Sequence, residues 1–509
     1  MDMRLTHLTL SPEVACGQCR NQIQVEGDVT LPGSLRETTC VLHASAMAVV
    51  ETAEAMQDRV TIGGRVVFCV LYAQGDAHRV DSIEATADFT HLCDMPGAAP
   101  RAEVFAHAQA EHVDATVQNG RMTMRATVRL CARATRCDQV EVLSGIELPS
   151  AQVRTAQMSM QRTVGRGSGE ALLREEFDLP ADLAIHDTLG AWATVGPVDT
   201  AGGQGRVGMS GEITLTALHA SDLPGKPLVM TRHTVPVSQS VELGGEGGEL
   251  LDGRMVVKDV AVASQDMGDG ERTLRAEVLL GLSAWAEKQE EATLLTDAYT
   301  TSGDDLRLNR TPMTIRTGTH RMHAAESGKA ALLLPEGAAP VRTMLAAFAT
   351  PVLTNFTQQG NRLLAEGTLD VTLLYMTPGS DAPVSVHMEA PLRAAFAGSA
   401  SPEDMVFLTA ADVEAVPITS DRVEMRYVLH AQVEGMASAQ VMVVTDAAPI
   451  PADPGTRDIV LYFTQPGDTT WDIARRYRIP EDALRRLNPD LSGDPQTGQG
   501  VVIWRRQSD

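Results

Sequence analysis

The chain runs through one pattern three times. Leucine–proline pairs open three related stretches: "LPGSLRETTCVLHASAMAVVETA" from Leu31, "LPADLAIHDTLGAWATVGPVDTA" from Leu179 and "LPEGAAPVRTMLAAFATPVLTNF" from Leu334. Each leads to an alternating strand, "GRVVFCVLYA", "GEITLTALHA" or "GTLDVTLLYM", ending near Tyr72, His219 and Tyr375. The intervals from Pro32, Pro180 and Pro335 to those residues are 40, 39 and 40 positions. A paired-strand signal closes each stretch, entered at Val113, Val260 and Val413, which lie 41, 41 and 38 positions further on. Landmarks held in register over a period of about 150 residues mark one structural unit copied three times.

Inside a unit the hydrophobic period is two. Met122, Met124, Ala126, Val128 and Leu130 alternate with Thr and Arg, as do Val423, Met425, Tyr427, Leu429 and Ala431 with polar neighbours. One face of such a strand is for a core and the other for water. The turns "QNGR", "GDGE" and "TSDR" each separate two strands and predict hairpins. The links "QRTVGRGSGE" and "TTSGDDLRLNRTPMTIRTGTHRMHAAESG" are polar and rich in small residues. Within and beside them "MSMQRT" and "MTIRTG" alternate, which suits pairing onto neighbouring sheets.

The terminal segment changes period. "DIVLYFT" reads as a strand, and "GDTT" opens a helix through "WDIARRY", with Asp468 or Thr469 as N-cap. A second helix, "RIPEDALRRLN", carries Pro480 in its first turn; "NPDLSGDPQTGQG" is a loop and "VVIW" a closing strand. The expected fold is mainly β: three sandwich-like all-β domains with small helical elements, then a small βααβ domain. The layout is an N-terminal segment at 1–24, repeats at 25–150, 151–300 and 301–446 (the last two opening with links), a linker at 447–457 and the terminal domain at 458–506.

Charge narrows the partners. The chain carries a formal −24, whereas residues 457–506 hold eight Arg against seven acidic residues. An acidic body with a near-neutral head is unsuited to nucleic acid or anionic lipid, which need clustered cations. No apolar run reaches the roughly 18–20 residues that span a bilayer. The start, "MDMRLTHLTL", lacks the basic-then-apolar pattern of a secretory signal. Seven Cys, all before residue 138, do not suggest a disulfide framework. The expectation is a reducing, cytoplasmic setting.

The terminal segment resembles the lysin-motif (LysM) family through Tyr462, "GDT" at Gly467–Thr469, Trp471, Ile473, Ala474, Tyr477, Leu484, "NP" at Asn488–Pro489 and Gly498-Gln499 before "VVIW". It departs at Thr464, where Val is common, at Thr470, where Leu is common, and at Trp504, which replaces a closing Pro. The resemblance implies a shallow groove for N-acetylglucosamine polymers. Gly467, Asp468, Thr469 and Thr470 would line one side of it and Asn488, Pro489, Asp490 and Leu491 the other. The same Asp468 and Thr469 are also what a helix cap requires. Arg475, Arg476, Arg478, Arg485 and Arg486 lie on the two helices and form either a basic patch for an acidic partner or a solvated face with local acidic neighbours.

"VEGDVTLPGSLRET" followed by "VTIGGRVVFCVLYA" is similar to the SPOCS domain of bacterial sporulation proteins, with the run of Pro and Asp after "EGD" reduced. Several such domains and one C-terminal LysM resemble the layout of spore-coat morphogenetic proteins of Clostridia-type bacteria. That resemblance implies a mother-cell adaptor at the forespore surface, whose partner is the coat-base ATPase and whose LysM domain serves as a protein-docking head. The alternative is a protein that binds peptidoglycan or another N-acetylglucosamine polymer of the cell or spore wall.

No catalytic residue, cofactor or metal site is read in the sequence. "CGQC" at Cys16–Cys19 has no second pair at zinc-site spacing, and His107 and His112 are five apart rather than the four of a helical zinc pair. "GGQGRVG" precedes a strand instead of a helix, so it reads as a turn. There is no phosphate-loop motif, so the chain is not itself the expected ATPase, and a wall hydrolase would need a catalytic domain absent from three copies of one β unit.

Overall fold

The computed structural model describes residues 3–31, 39–74, 77–203, 205–245, 247–268, 271–451, 459–491 and 493–504. The whole segment between Leu31 and Thr39, the centre of the "GDGE" turn, Ser492 and the greater part of the 447–457 linker lie outside them.

Each unit is two antiparallel sheets packed face to face, three-stranded except that the short Gly244–Gly245 strand adds a fourth to one sheet of the second unit. In the first unit one sheet is Glu13–Thr30, Arg121–Cys137 and Glu103–Gln118, with Arg121–Cys137 central; the other is Thr39–Met56, Arg59–Gln74 and Ala77–Asp94, with Arg59–Gln74 central. The second unit pairs Ala151–Leu179, Glu271–Thr300 and Leu250–Gly268, and separately Ile185–Gly203, Arg206–Leu223 and Lys226–Glu242. The third repeats the plan with Asp305–Leu333, Arg422–Ile450 and Met405–Pro417, then Thr343–Gln359, Arg362–Met376 and Pro383–Ala397. Central strands carry the alternation that the sequence shows. Met122, Met124, Ala126, Val128 and Leu130 are fully buried, and Val423, Met425, Tyr427, Leu429 and Ala431 are buried in the third core. At "QNGR" both Asn119 and Gly120 have positive φ (53° and 75°), the two-residue turn that matches strand twist and joins Gln118 to Arg121. Gly203 pairs with Arg206, so "GGQGRVG" is a turn, not a nucleotide fingerprint. Among the described residues of the units, helix is limited to a single turn at Ala181–Leu183.

Several strands are longer than a sandwich needs. Ala151–Leu179 and Glu271–Thr300 stay paired over almost their whole length, with bulges where the ladder bends out of the sandwich, between Ala286 and Glu287 and between Leu295 and Asp297. Asp305–Leu333 and Arg422–Ile450 do the same. In the first unit Pro12, which has no N–H for the ladder, interrupts the run, and Arg4–Leu10 pairs separately with Val140–Glu147. Strands therefore cross the expected boundaries at 24/25 and 446/447, and "MSMQRT" and "MTIRTG" are ribbon strands. The apolar alternation continues through these stretches, so the pairing does too.

The three ribbons pack on one another through Leu10, Val142, Met160, Leu294, Met313, Ile315 and Val443. Elsewhere the second sheets of all three units meet: Leu71, Leu218 and Leu374, each one residue before its landmark Tyr or His, share one buried cluster. Between these apolar regions lies a charged knot. Glu13, Gln161 and Arg316, which occupy matched positions before the three Leu-Pro landmarks, are all buried. Arg316 donates to Glu13 at 2.7 Å and to Glu287, and Gln161 donates to Glu287 at 2.7 Å. Burial pushes the Glu13 carboxyl up, but Arg316, the Thr163 amide and Arg166 outweigh it and hold it below the ordinary range. One residue set thus ties three units together.

Candidate functional site

The terminal module is built as a hairpin and two helices. Ile459–Phe463 pairs with Gly500–Trp504, and between them lie α1 (Thr470–Tyr477) and α2 (Glu481–Leu487). Thr469 is the N-cap of α1: its hydroxyl accepts from the Asp472 amide, while the Asp472 carboxylate accepts from the Thr469 amide. Trp471, Ile473, Ala474, Leu484, Leu491, Val501 and Ile503 form the core.

The expected groove residues lie at the α1 start and just beyond the α2 end, and most of their side chains are engaged within the module. Asp468 accepts from the Tyr462 hydroxyl at 2.5 Å and from the Gln465 amide at 2.8 Å, bonds that hold its carboxyl below the usual range. Thr470 is buried; its hydroxyl donates to Glu481 and accepts from Arg485, both at 2.8 Å. Asn488 donates to the carbonyls of Leu484 and Val502 and accepts from the Val502 amide, stitching α2 to the closing strand. Leu491 is core. Gly467, Pro489 and Asp490 remain exposed, with Gly467 at φ +86°. Thr464, which replaces the common Val, is buried with its hydroxyl donating to the Gln496 carbonyl.

The five arginines divide. Arg475 donates to Asp297 of the second unit at 2.8 Å, and Arg478 donates to the carbonyls of Thr300 (2.9 Å) and Gly303 (2.7 Å). Arg476 reaches the Tyr462 hydroxyl and Asp468; Arg485 and Arg486 pair with Glu481 and Asp482 one helical turn back. All five therefore have partners in the chain. The module is seated on the far end of the second ribbon. Tyr299 is buried in the module's core, edge-on to Trp471 with centroids 5.0 Å apart, and donates to the Ile479 carbonyl at 2.7 Å. The Trp471 indole N–H donates to Asp297, which also holds Arg310 at 2.6 Å.

The hairpin's outer face is exposed and apolar. Val460 and Tyr462 point inward, while Ile459, Leu461 and Phe463 are 75%, 58% and 57% exposed. On the paired strand Val502 and Trp504 lie opposite Leu461 and Ile459 and are also exposed. Apolar side chains on both faces are visible in "DIVLYF" and "VVIW"; which face is covered is not.

The sequence sets His112 aside as a metal ligand and gives no sign of Asp370 or His387, yet the fold brings the three to one point from distant segments. In "CGQC", Cys19 is buried and Cys16 half-buried at a bulge between Ala15 and Gly17, and both are free thiols. No helix among the described residues is long and apolar enough to cross a membrane.

With this geometry in place, comparison with known families gives two matches. The model described as SipL, SPOCS domain, matches residues 39–118, from Thr39–Met56 through the end of Glu103–Gln118 in the first unit. The model of the LysM domain matches residues 462–504. No curated protein and no solved structure matches the chain. The chain therefore combines a domain of sporulation proteins with a module of the glycan-binding LysM type, and neither is a catalytic domain type.

Proposed function

We propose that this chain is a non-enzymatic adaptor in spore-coat or envelope assembly, working on the mother-cell side of the forespore surface. In this reading the second and third units are diverged copies of the SPOCS domain, giving repeats over 25–150, 151–300 and 301–446. The acidic body holds the LysM head in a fixed orientation, and the head docks a protein, the morphogenetic ATPase of the coat base.

The observation that carries the reading is the contrast between two surfaces of the head. Its groove side chains Asp468, Thr469, Thr470 and Asn488 are committed to capping and cross-links inside the module. The hairpin face instead offers Ile459, Leu461 and Phe463 to solvent. Exposed contiguous apolar side chains suit a protein interface, whereas a hexose polymer asks for aligned polar groups around a shallow cleft. A glycan-binding reading draws support from the LysM match and from the exposed Gly467, Pro489 and Asp490.

Sedimentation of the full chain with purified peptidoglycan, in parallel with capture on the immobilised ATPase, separates the two. The adaptor reading expects saturable capture by the ATPase and no saturable co-sedimentation. Saturable binding to peptidoglycan, with none to the ATPase, would make glycan the ligand.

A further inference from the structure

The three interfaces between units share a contact point. Cross-strand register aligns Glu84, Arg232 and His387, which lie opposite Cys69, Thr216 and Thr372, each three residues before its landmark Tyr or His. His112, Asp259 and Asp412 match in the same way, each one residue before its landmark Val and at or beside a bulge. Between the second and third units this position holds an ion pair, Arg232 to Asp412 at 3.1 Å. Between the first and second units it holds two acids: burial, and then Asp259, keeps the Glu84 carboxyl above its ordinary value.

Between the third and first units the pair is His387 and His112, with ring centroids 5.9 Å apart. Asp370 sits between them, one oxygen 2.7 Å from His112 Nδ1 and the other 3.1 Å from His387 Nδ1. One ligand atom from each of the three residues lies within 4.8 Å of the other two. The far side of the His112 ring is fixed as well, with Nε2 3.0 Å from Asp114.

We propose that His112, Asp370 and His387 bind one divalent transition-metal ion of the Zn²⁺ class, clasping the first unit to the third. Two imidazoles and one carboxylate are a donor set for borderline ions; Ca²⁺ and Mg²⁺ prefer all-oxygen cages. Asp114 supplies the outer support that metal-bound imidazoles ordinarily have: with Nε2–H donating to it, Nδ1 is the nitrogen left for the ion. Water completes the tetrahedron. The location gives the ion a purpose. The first and second units, and the second and third, follow one another directly along the chain, whereas the first and third meet only through side chains and packing. An ion here reinforces the contact that no direct connection secures.

The test uses the full chain, stripped with a chelator and dialysed, then titrated with Zn²⁺ by calorimetry with bound metal counted. The expected result is one saturable site and a rise in melting temperature with Zn²⁺, with no comparable response to Mg²⁺. His387→Gln and Asp370→Asn should lose at least 100-fold in affinity, and Asp114→Asn about 10–100-fold. His387 is more than half exposed, so its variant should fold with an unchanged metal-free melt and carries the test even if Asp370→Asn fails to fold. No saturable binding by the wild-type chain, or equal binding by His387→Gln, overturns the proposal.

Discussion

Trp471 donates its indole N–H to Asp297 at 2.7 Å, fastening the terminal module to a strand 174 residues earlier in the chain. Tyr299, two residues beyond Asp297, fills the module's own core. The module is therefore packed against the body instead of hanging from a tether, and its hairpin face stays exposed.

Releasing the seat should cost little in the body and much in the head's orientation. Asp297→Ala removes the acceptor shared by Trp471, Arg475 and Arg310; both arginines are more than a third exposed and can turn to water. A loss on the order of 2–3 kcal/mol is expected at the seat. Hydrogen exchange should quicken at 296–303 and 471–479 while the sandwich cores stay protected. Trp471→Phe, which keeps the ring contact and loses the donor, should cost about 1 kcal/mol.

The charged knot predicts a strongly position-dependent response. Arg316→Ala strips Glu13 and Glu287 of a buried partner and should destabilise by about 3–5 kcal/mol in urea melts. Arg206→Ala, which breaks only the exposed pair with Glu242, should cost no more than about 1 kcal/mol.

Acid should act in two stages. Burial, and then His387, pushes the His43 imidazole down to about 3 from 6.5, and burial, then His233, pushes His219 down to about 4. Unfolded chains take up these protons near pH 6.5, whereas folded chains refuse them until about pH 3–4. The stability they contribute is therefore complete above pH 6.5 and erodes as pH falls below it. For His43 the slope approaches about 1.4 kcal/mol per pH unit. Glu13 has the opposite chemistry and the same sign: its value is lowered from 4.5, so its contribution is present above 4.5 and is lost as pH falls further. Urea midpoints measured from pH 7.5 to 4 check both limbs, and His219→Gln should flatten the first.

Matched leucines give an internal test of the threefold arrangement. Leu71→Ala, Leu218→Ala and Leu374→Ala each remove a fully buried side chain from one shared cluster, at about 2–5 kcal/mol apiece. Their costs should be similar and their combination non-additive, because the three side chains share one cavity.

Much of this fold is legible in the chain because β alternation is a local signal. The buried rows through Met122–Leu130 and Val423–Ala431, the "QNGR" turn and the βααβ order of the terminal module all follow from spacing alone. What spacing does not carry is which elements meet. Arg475 and Arg478 read as surface cations on a short helix, yet their partners are Asp297, Thr300 and Gly303, reached only once the head is seated. His112 reads as one more strand histidine because Asp370 and His387 belong to a different unit. Asp468, Thr470 and Asn488 look like ligand contacts until their hydrogen bonds turn out to be internal.

The most direct measurement is the affinity of the full chain for the coat-base ATPase, compared between wild type and the double variant Leu461→Ser, Phe463→Ser. Both side chains are more than half exposed, so the variant should fold normally. That variant should lose binding at least 100-fold, whereas Asp490→Ala on the groove side should bind nearly as wild type. Undiminished binding by the hairpin variant, or loss confined to Asp490→Ala, would contradict this expectation.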